Sequence, residues 1–190
     1  VDLGQRSETV HRANLSAIVR GIHERGPMSR SELVAATGLT RSAIRGLVHE
    51  LREAGFAIES PAARLGTPGR PSPVVRLDPS SAVVLALEIL VDSVAASVVG
   101  LGGVVLRQAR IDQPGRHRDA VAVVDDLVAL AHDLDFDADG TLIGVGVAVA
   151  GVVRRSDGLV STAPNLRWRD VPLGARVARA LDVDVPVAVA

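Results

Sequence analysis

The 190 residues contain no cysteine and no lysine, and only three of them, Phe56, Phe136 and Trp168, are aromatic. Without cysteine there are no disulfide staples, no thiolate zinc site and no cysteine nucleophile, so histidine and carboxylate are the only metal ligands left. A reducing cytosol suits such a chain. All 21 basic residues are arginine, which points to a GC-rich coding bias more than to a binding surface. No stretch reaches the roughly 18 to 20 apolar residues of a membrane helix, and the first residues are polar and charged, unlike a secretory signal. A cytoplasmic protein without membrane contact is expected. The chain starts at valine, and the apolar run Val185 to Ala190 stops without a turn or polar tail, which suggests a piece of a longer protein.

What is present suffices for ordered cores: 47% of residues are apolar and 23% charged, enough for one large domain or two small ones. Charge is distributed unevenly. Up to Arg76 there are 11 arginines against 7 acids, and from Leu77 onward 10 against 15. The sign changes where two domains are expected to meet, with boundaries at 1–78 and 79–190.

Leu15, Ile18, Val19 and Ile22 recur at helical spacing in a first helix from Arg6 to Arg25, stopped by Gly26 and Pro27. Ser29 followed by Glu32 is a capping box opening a short second helix that ends at Thr37 and Gly38. Thr40 caps a third helix from Arg41 to Ala54, whose Ile44, Leu47, Val48 and Leu51 form an apolar stripe closed by Gly55. Two helices joined by a short glycine turn after a supporting helix predict a helix-turn-helix. A strand at Phe56 to Glu59, a Pro-, Gly- and Arg-rich stretch from Ser60 to Pro73 and a strand at Val74 to Leu77 add a wing-like hairpin.

From Ser81 the pattern becomes that of strands, with a three-stranded meander at 82–91, 93–100 and 104–111. A helix at 118–134, a strand at 142–150, a Gly- and Pro-containing loop region, a helix at 173–181 and a last strand at 185–190 complete an α/β second domain. The fold class is therefore two-domain α+β, a winged helix-turn-helix followed by an α/β unit.

With Thr40 as cap, Arg41, Ser42 and Arg45 fall on the exposed side of the third helix. Arginine donates two bonds to guanine O6 and N7, and serine or threonine bonds a phosphate or base edge, so these residues suit a recognition helix in a major groove. Ser29, Arg30 and Thr40, at the starts of the second and third helices, complete the candidate contacts there. Arg64 and Arg70 lie in the wing, where they can reach backbone phosphate or a minor groove. The competing reading makes all of them ordinary solvated residues, and Arg64 part of a flexible linker. Double-stranded DNA is the expected partner, and no cofactor is expected. His11, His23, His49, His117 and His132 lack metal-ligand spacing and read as surface residues.

The blocks RANLSAIVRGIHERGPMSRSELVAATGLTRSAIRGLVHELREAGFAIE, GTPGRPSPVVRLDP, GVGVAVAGVV and GLVSTAPNLRWRDVPL together resemble the ROK family, in the repressor branch that includes the xylose and N-acetylglucosamine repressors. The resemblance implies a winged DNA-binding domain fused to the first lobe of an actin-like, ribonuclease H-like sugar-kinase domain, interrupted at Ala190. It implies a homodimer on an inverted-repeat operator and a sugar or sugar-phosphate effector near Gly151 and Asn165. Asn165 can also be a plain turn residue, and Trp168 can stack on a sugar, though filling the core suits it better.

Departures from the kinase pattern count as much. Kinases of this family open their catalytic domain with an aspartate, two glycines and a threonine that hold nucleotide phosphates, whereas Glu88 and Ile89 to Val91 stand here. Bulky side chains there obstruct phosphate from reaching the backbone, so ATP binding and enzymatic activity are not expected. The family's catalytic aspartate and zinc motif would lie past Ala190. A regulator of carbohydrate genes is the leading expectation, with a ROK-type sugar kinase or a winged-helix protein-interaction module as alternatives.

Overall fold

A computed structural model describes residues 3–61, 72–112, 119–136, 138 and 140–190. It divides into two compact units, Val1–Ser81 with Leu101–Gly103, and Ala82–Gly100 with Val104–Ala190.

The first unit opens with α1 (Leu3–Arg25), a two-residue strand β1 (Met28–Ser29), α2 (Arg30–Thr37) and α3 (Arg41–Glu53). The antiparallel strands β2 (Ala57–Ser60) and β3 (Val74–Leu77) follow, and β1 pairs with β3 to give the order β1-β3-β2. Each helix boundary has a local cause. The Ser29 hydroxyl accepts from the Glu32 N–H at 3.2 Å while the Ser29 N–H donates to the Glu32 carboxylate at 2.6 Å, the full capping box. Gly38 ends α2 in the left-handed conformation, φ 70°, and its N–H returns to the Val34 carbonyl. Thr40 then caps α3 by accepting from Ala43 N–H at 3.2 Å. Helix spacing turns Ile44, Leu47, Val48 and Leu51 inward against Ile18, Ile22, Leu33 and Val75, all buried. Truncating a residue such as Ile44 to alanine is expected to cost about 2–5 kcal/mol.

The capping box also makes an acid-sensitive contribution. The Ser29 N–H, and after it the Ser29 hydroxyl, hold the Glu32 carboxyl below its ordinary value of 4.5. A lowered folded-state value means that the unfolded chain takes up the proton first as pH falls. The stabilisation is therefore complete above the ordinary value and is lost as pH falls through the lowered one. Thermal unfolding from about pH 6 down to about pH 3 should show a shallower acid decline in Glu32→Gln than in the parent. Parallel declines would refute this account of the cap.

The second unit is built on five strands: β4 (Ala82–Ile89), β5 (Ser93–Gly100), β6 (Val104–Asp112), β7 (Thr141–Val149) and β11 (Val187–Val189). Between β6 and β7 lies α4 (Ala120–Asp133). After β7 come β8 (Val152–Arg154), β9 (Leu159–Ala163), a 3-10 turn (Pro164–Leu166), β10 (Trp168–Pro172) and α5 (Leu173–Leu181). The large sheet runs β11-β7-β4-β5-β6, with β4, β7 and β11 parallel and the meander β4-β5-β6 antiparallel.

Register explains which face is covered. Leu85, Leu87 and Ile89 sit opposite Val145, Val147 and Val149 on one side and Val98, Ala96 and Val94 on the other. Paired residues share a face, and these are all buried with Leu127 and Leu130 of α4 and Leu173 and Val177 of α5. Arg107 of β6 fastens the far end of α4, donating to the carbonyls of Leu134 at 2.6 Å and Asp135 at 2.7 Å, groups that a helix C-terminus leaves open.

The stretch expected as a loop between β7 and α5 instead forms a second antiparallel sheet, β10-β9-β8. These strands are three to five residues long, too short for the alternation to stand out from the turns around them. The last strand is shorter than expected because Pro186 interrupts it, and the Pro186 carbonyl takes the Val145 N–H at 2.9 Å.

Candidate nucleic-acid interface

The cap at Thr40 decides what α3 presents. At about 100° per residue, Arg45 lies about 40° and Arg52 about 20° around the helix from Arg41. The three arginines thus form one stripe beside the buried apolar one. Arg41, Ser42 and Arg45 are exposed. Among the described residues the Arg41 and Arg45 guanidiniums have no carboxylate partner, so both are available to an external anion. The Ser42 hydroxyl lies 3.1 Å from that of Thr40, which already caps the helix.

Arg30 and Arg52 differ in this respect. Arg30, the first residue of α2, places Nε 2.6 Å from one carboxylate oxygen of Glu59 and donates from its terminal nitrogen to the other at 2.8 Å. Arg52, in the last turn of α3, reaches the same carboxylate at 3.3 Å. The Glu59 side chain is only 11% exposed. The Arg30 guanidinium is thus engaged within the unit and not free like Arg41. Sequence reading missed Glu59, because a carboxylate on a short strand carries no signal until the fold brings α2 and α3 beside it. Ser29 is committed to the capping box, and Arg64 and Arg70 lie outside the described residues.

In the second unit, Gly151 is exposed at the β7–β8 turn, and a Cβ there would meet the Thr162 carbonyl at 2.7 Å and Ala163 at 3.0 Å. Close backbone packing accounts for that glycine. Asn165 is exposed in the 3-10 turn that Ala163 enters, so the two candidate residues lie along one path of chain. Trp168 is 5% exposed and belongs to the core. A cleft of about 360 Å³ opens instead between the start of α4 and β10, lined by Asp119, Leu166, Arg167 and Arg169 among others, and by neither Gly151 nor Asn165.

The turn from β4 to β5, at Leu90 to Asp92, contains no glycine and no residue of positive φ, and Glu88 and Asp92 beside it are exposed carboxylates. Such a turn offers no backbone cradle for phosphate, and its charge opposes one. Among the described residues, no three His, Asp or Glu side chains converge on a metal-sized site, and His11, His23, His49 and His132 are exposed. No described helix is long and apolar enough to cross a membrane.

Residues 84–189, more than half of the chain and nearly all of the second unit, match the family model described as "ROK family". The chain belongs to the ROK family. Among ROK relatives, the xylose repressor of Bacillus subtilis strain 168 is 24% identical over 182 residues, 93% of this chain and 46% of that protein. A transcriptional regulator of Mycobacterium tuberculosis is 29% identical over 178 residues, 91% of this chain and 39% of the relative. The chain thus spans less than half the length of these curated ROK relatives. A solved ROK family transcriptional regulator, described as a homologue of the E. coli MLC protein, superposes with a TM-score of 0.62 at 21% identity, covering 95% of this chain and 46% of that one. At that identity the likeness speaks to the mixed α/β fold.

Proposed function

We propose that this ROK chain is a DNA-binding transcriptional regulator, a repressor of carbohydrate-related genes acting in the cytoplasm. Residues 1–78 serve as a winged helix-turn-helix, and residues 79–190 as part of a sugar-kinase-derived sensor. The observation that carries this reading is the capped helix α3, whose Arg41 and Arg45 stand exposed, with no carboxylate partner among the described residues, on a face beside its buried stripe. Free guanidiniums on the first turns of a helix following a tight turn are what major-groove readout requires. The repressor names among its relatives agree with it.

A homodimer would place two copies of α3 on the halves of an inverted repeat about one helical turn apart. A sugar or sugar phosphate bound near Asn165 would regulate the protein only by favouring either the DNA-competent or the incompetent arrangement. Phosphoryl transfer is not part of the proposal, since the β4–β5 turn lacks the backbone geometry that holds nucleotide phosphates.

The test is a mobility shift of the 190-residue protein on its own upstream DNA against a scrambled duplex of equal length. The expected result is retardation of the native duplex at protein concentrations at least about a thousandfold below those needed for the scrambled one. Equal retardation of both duplexes, or of neither, refutes the regulator reading.

A further inference from the structure

Glu59 gathers two of the basic residues of the first unit onto one carboxylate. Arg52 shares the α3 stripe with Arg41 and Arg45, and Arg30 starts α2 beside its cap Ser29. Left uncompensated, Arg52 would extend the cationic stripe of Arg41 and Arg45, and Arg30 would add a charge at the start of α2. Glu59 on β2 takes Arg30 through two contacts, at 2.6 and 2.8 Å, and Arg52 through one at 3.3 Å. With its side chain 11% exposed, the carboxylate lies between the two guanidiniums, one of its oxygens accepting from both. Arg41 and Arg45 remain outside this arrangement.

From this we infer that Glu59 is a specificity-determining residue, one that withholds Arg30 and Arg52 from DNA phosphate so that binding depends on Arg41 and Arg45. The inference rests on the DNA-binding reading above. Its physical basis is that phosphate contacts add affinity without regard to sequence, and each adds about 0.9 to the slope of log affinity against log salt. A carboxylate that neutralises two potential phosphate contacts therefore lowers indiscriminate binding while sparing base readout. Glu59 acts through the arginines and is a positioning residue with no DNA contact of its own.

The full chain and Glu59→Gln are compared on the native and scrambled duplexes over a series of salt concentrations, with circular dichroism reporting the fold. Glu59→Gln keeps the shape and removes the charge. Its slope on the scrambled duplex should steepen by up to about 1.8, affinity for that duplex should rise on the order of tenfold, and the native-to-scrambled ratio should fall. Because Glu59→Gln leaves the partly buried Arg30 without its ionic partner, Arg30→Gln with Glu59→Gln is tested as well, which keeps the measurement decisive if the single variant unfolds. That pair frees Arg52 alone and should steepen the slope by about 0.9. A purely structural role for Glu59 predicts unchanged or shallower slopes in whichever variant folds, and that result overturns the inference. A parent chain that retards no DNA overturns the regulator reading first and this inference with it, an outcome distinct from a parent that binds and variants that leave the slope unmoved.

Discussion

Replacing Arg41 and Arg45 together by alanine should abolish selective retardation of the upstream duplex while leaving the protein folded. Both side chains are exposed, neither has a carboxylate partner among the described residues, and alanine is the better helix former, so α3 loses nothing it needs for packing. If each guanidinium reads a guanine, each loss costs about 1–3 kcal/mol of discrimination. The pair then weakens native binding by a factor between about 30 and more than 10⁴. The single variants assign the roles. An arginine that reads a base should lower the native-to-scrambled ratio, whereas one that holds a phosphate should weaken both duplexes alike and reduce the salt slope by about 0.9. An unchanged shift by the double variant would remove α3 from the interface and favour a protein-interaction role for the first unit.

An expected effect on stability as large as that of truncating Ile44 lies in the second unit. Gly158, in the turn between β8 and β9, adopts φ 66°, and a Cβ there would lie 2.8 Å from the Val189 side chain and 3.0 Å from the Gly174 Cα. Gly174 in the first turn of α5 is equally close from its own side, since its Cβ would meet the Asp157 carbonyl at 3.1 Å. The Gly174 N–H donates to the Gly158 carbonyl at 3.2 Å. The two glycines let α5 sit directly on the turn beneath β11. Gly158→Ala combines a left-handed backbone, at about 1–2 kcal/mol, with overpacking, at about 1–3 kcal/mol. A loss of about 2–5 kcal/mol is large against the roughly 5–15 kcal/mol that holds a domain together. Gly146→Ala is the control: nothing lies within 4 Å of its Cβ position, and loss of unfolded-chain entropy should leave it neutral or slightly more stable. Denaturant midpoints for the two variants should move far apart, and a Gly158→Ala midpoint equal to that of the parent would refute the close-packing argument.

Much of this was legible in the chain because the relevant physics is local. Ser29 with Glu32, Gly38, and Thr40 before an apolar stripe at three- and four-residue spacing each specify a helix end or face through atoms a few residues apart. The same locality placed Arg41, Ser42 and Arg45 outward, since a cap fixes where the helix starts and 3.6 residues per turn does the rest. The long strands of the second unit and its two helices announced themselves through sustained periodicity. The assignment of Trp168 to the core likewise agrees with its burial.

What only the tertiary structure decided depends on residues distant in sequence. The small sheet β10-β9-β8 consists of strands too short to carry a pattern, and it exists because they pair with one another. The Thr162 carbonyl, eleven residues away, crowds the Cβ position of Gly151, a steric demand invisible in a sequence. Arg30 was grouped with the free arginines by residue type alone. It is set apart by Glu59, 29 positions later in the chain, because the electrostatics of a side chain depend on which charges the fold brings within a few ångströms. Sequence by itself determined where the helices of the first unit begin, end and face; the fold decided which of its described arginines are drawn to a carboxylate, because that depends on charges distant in sequence.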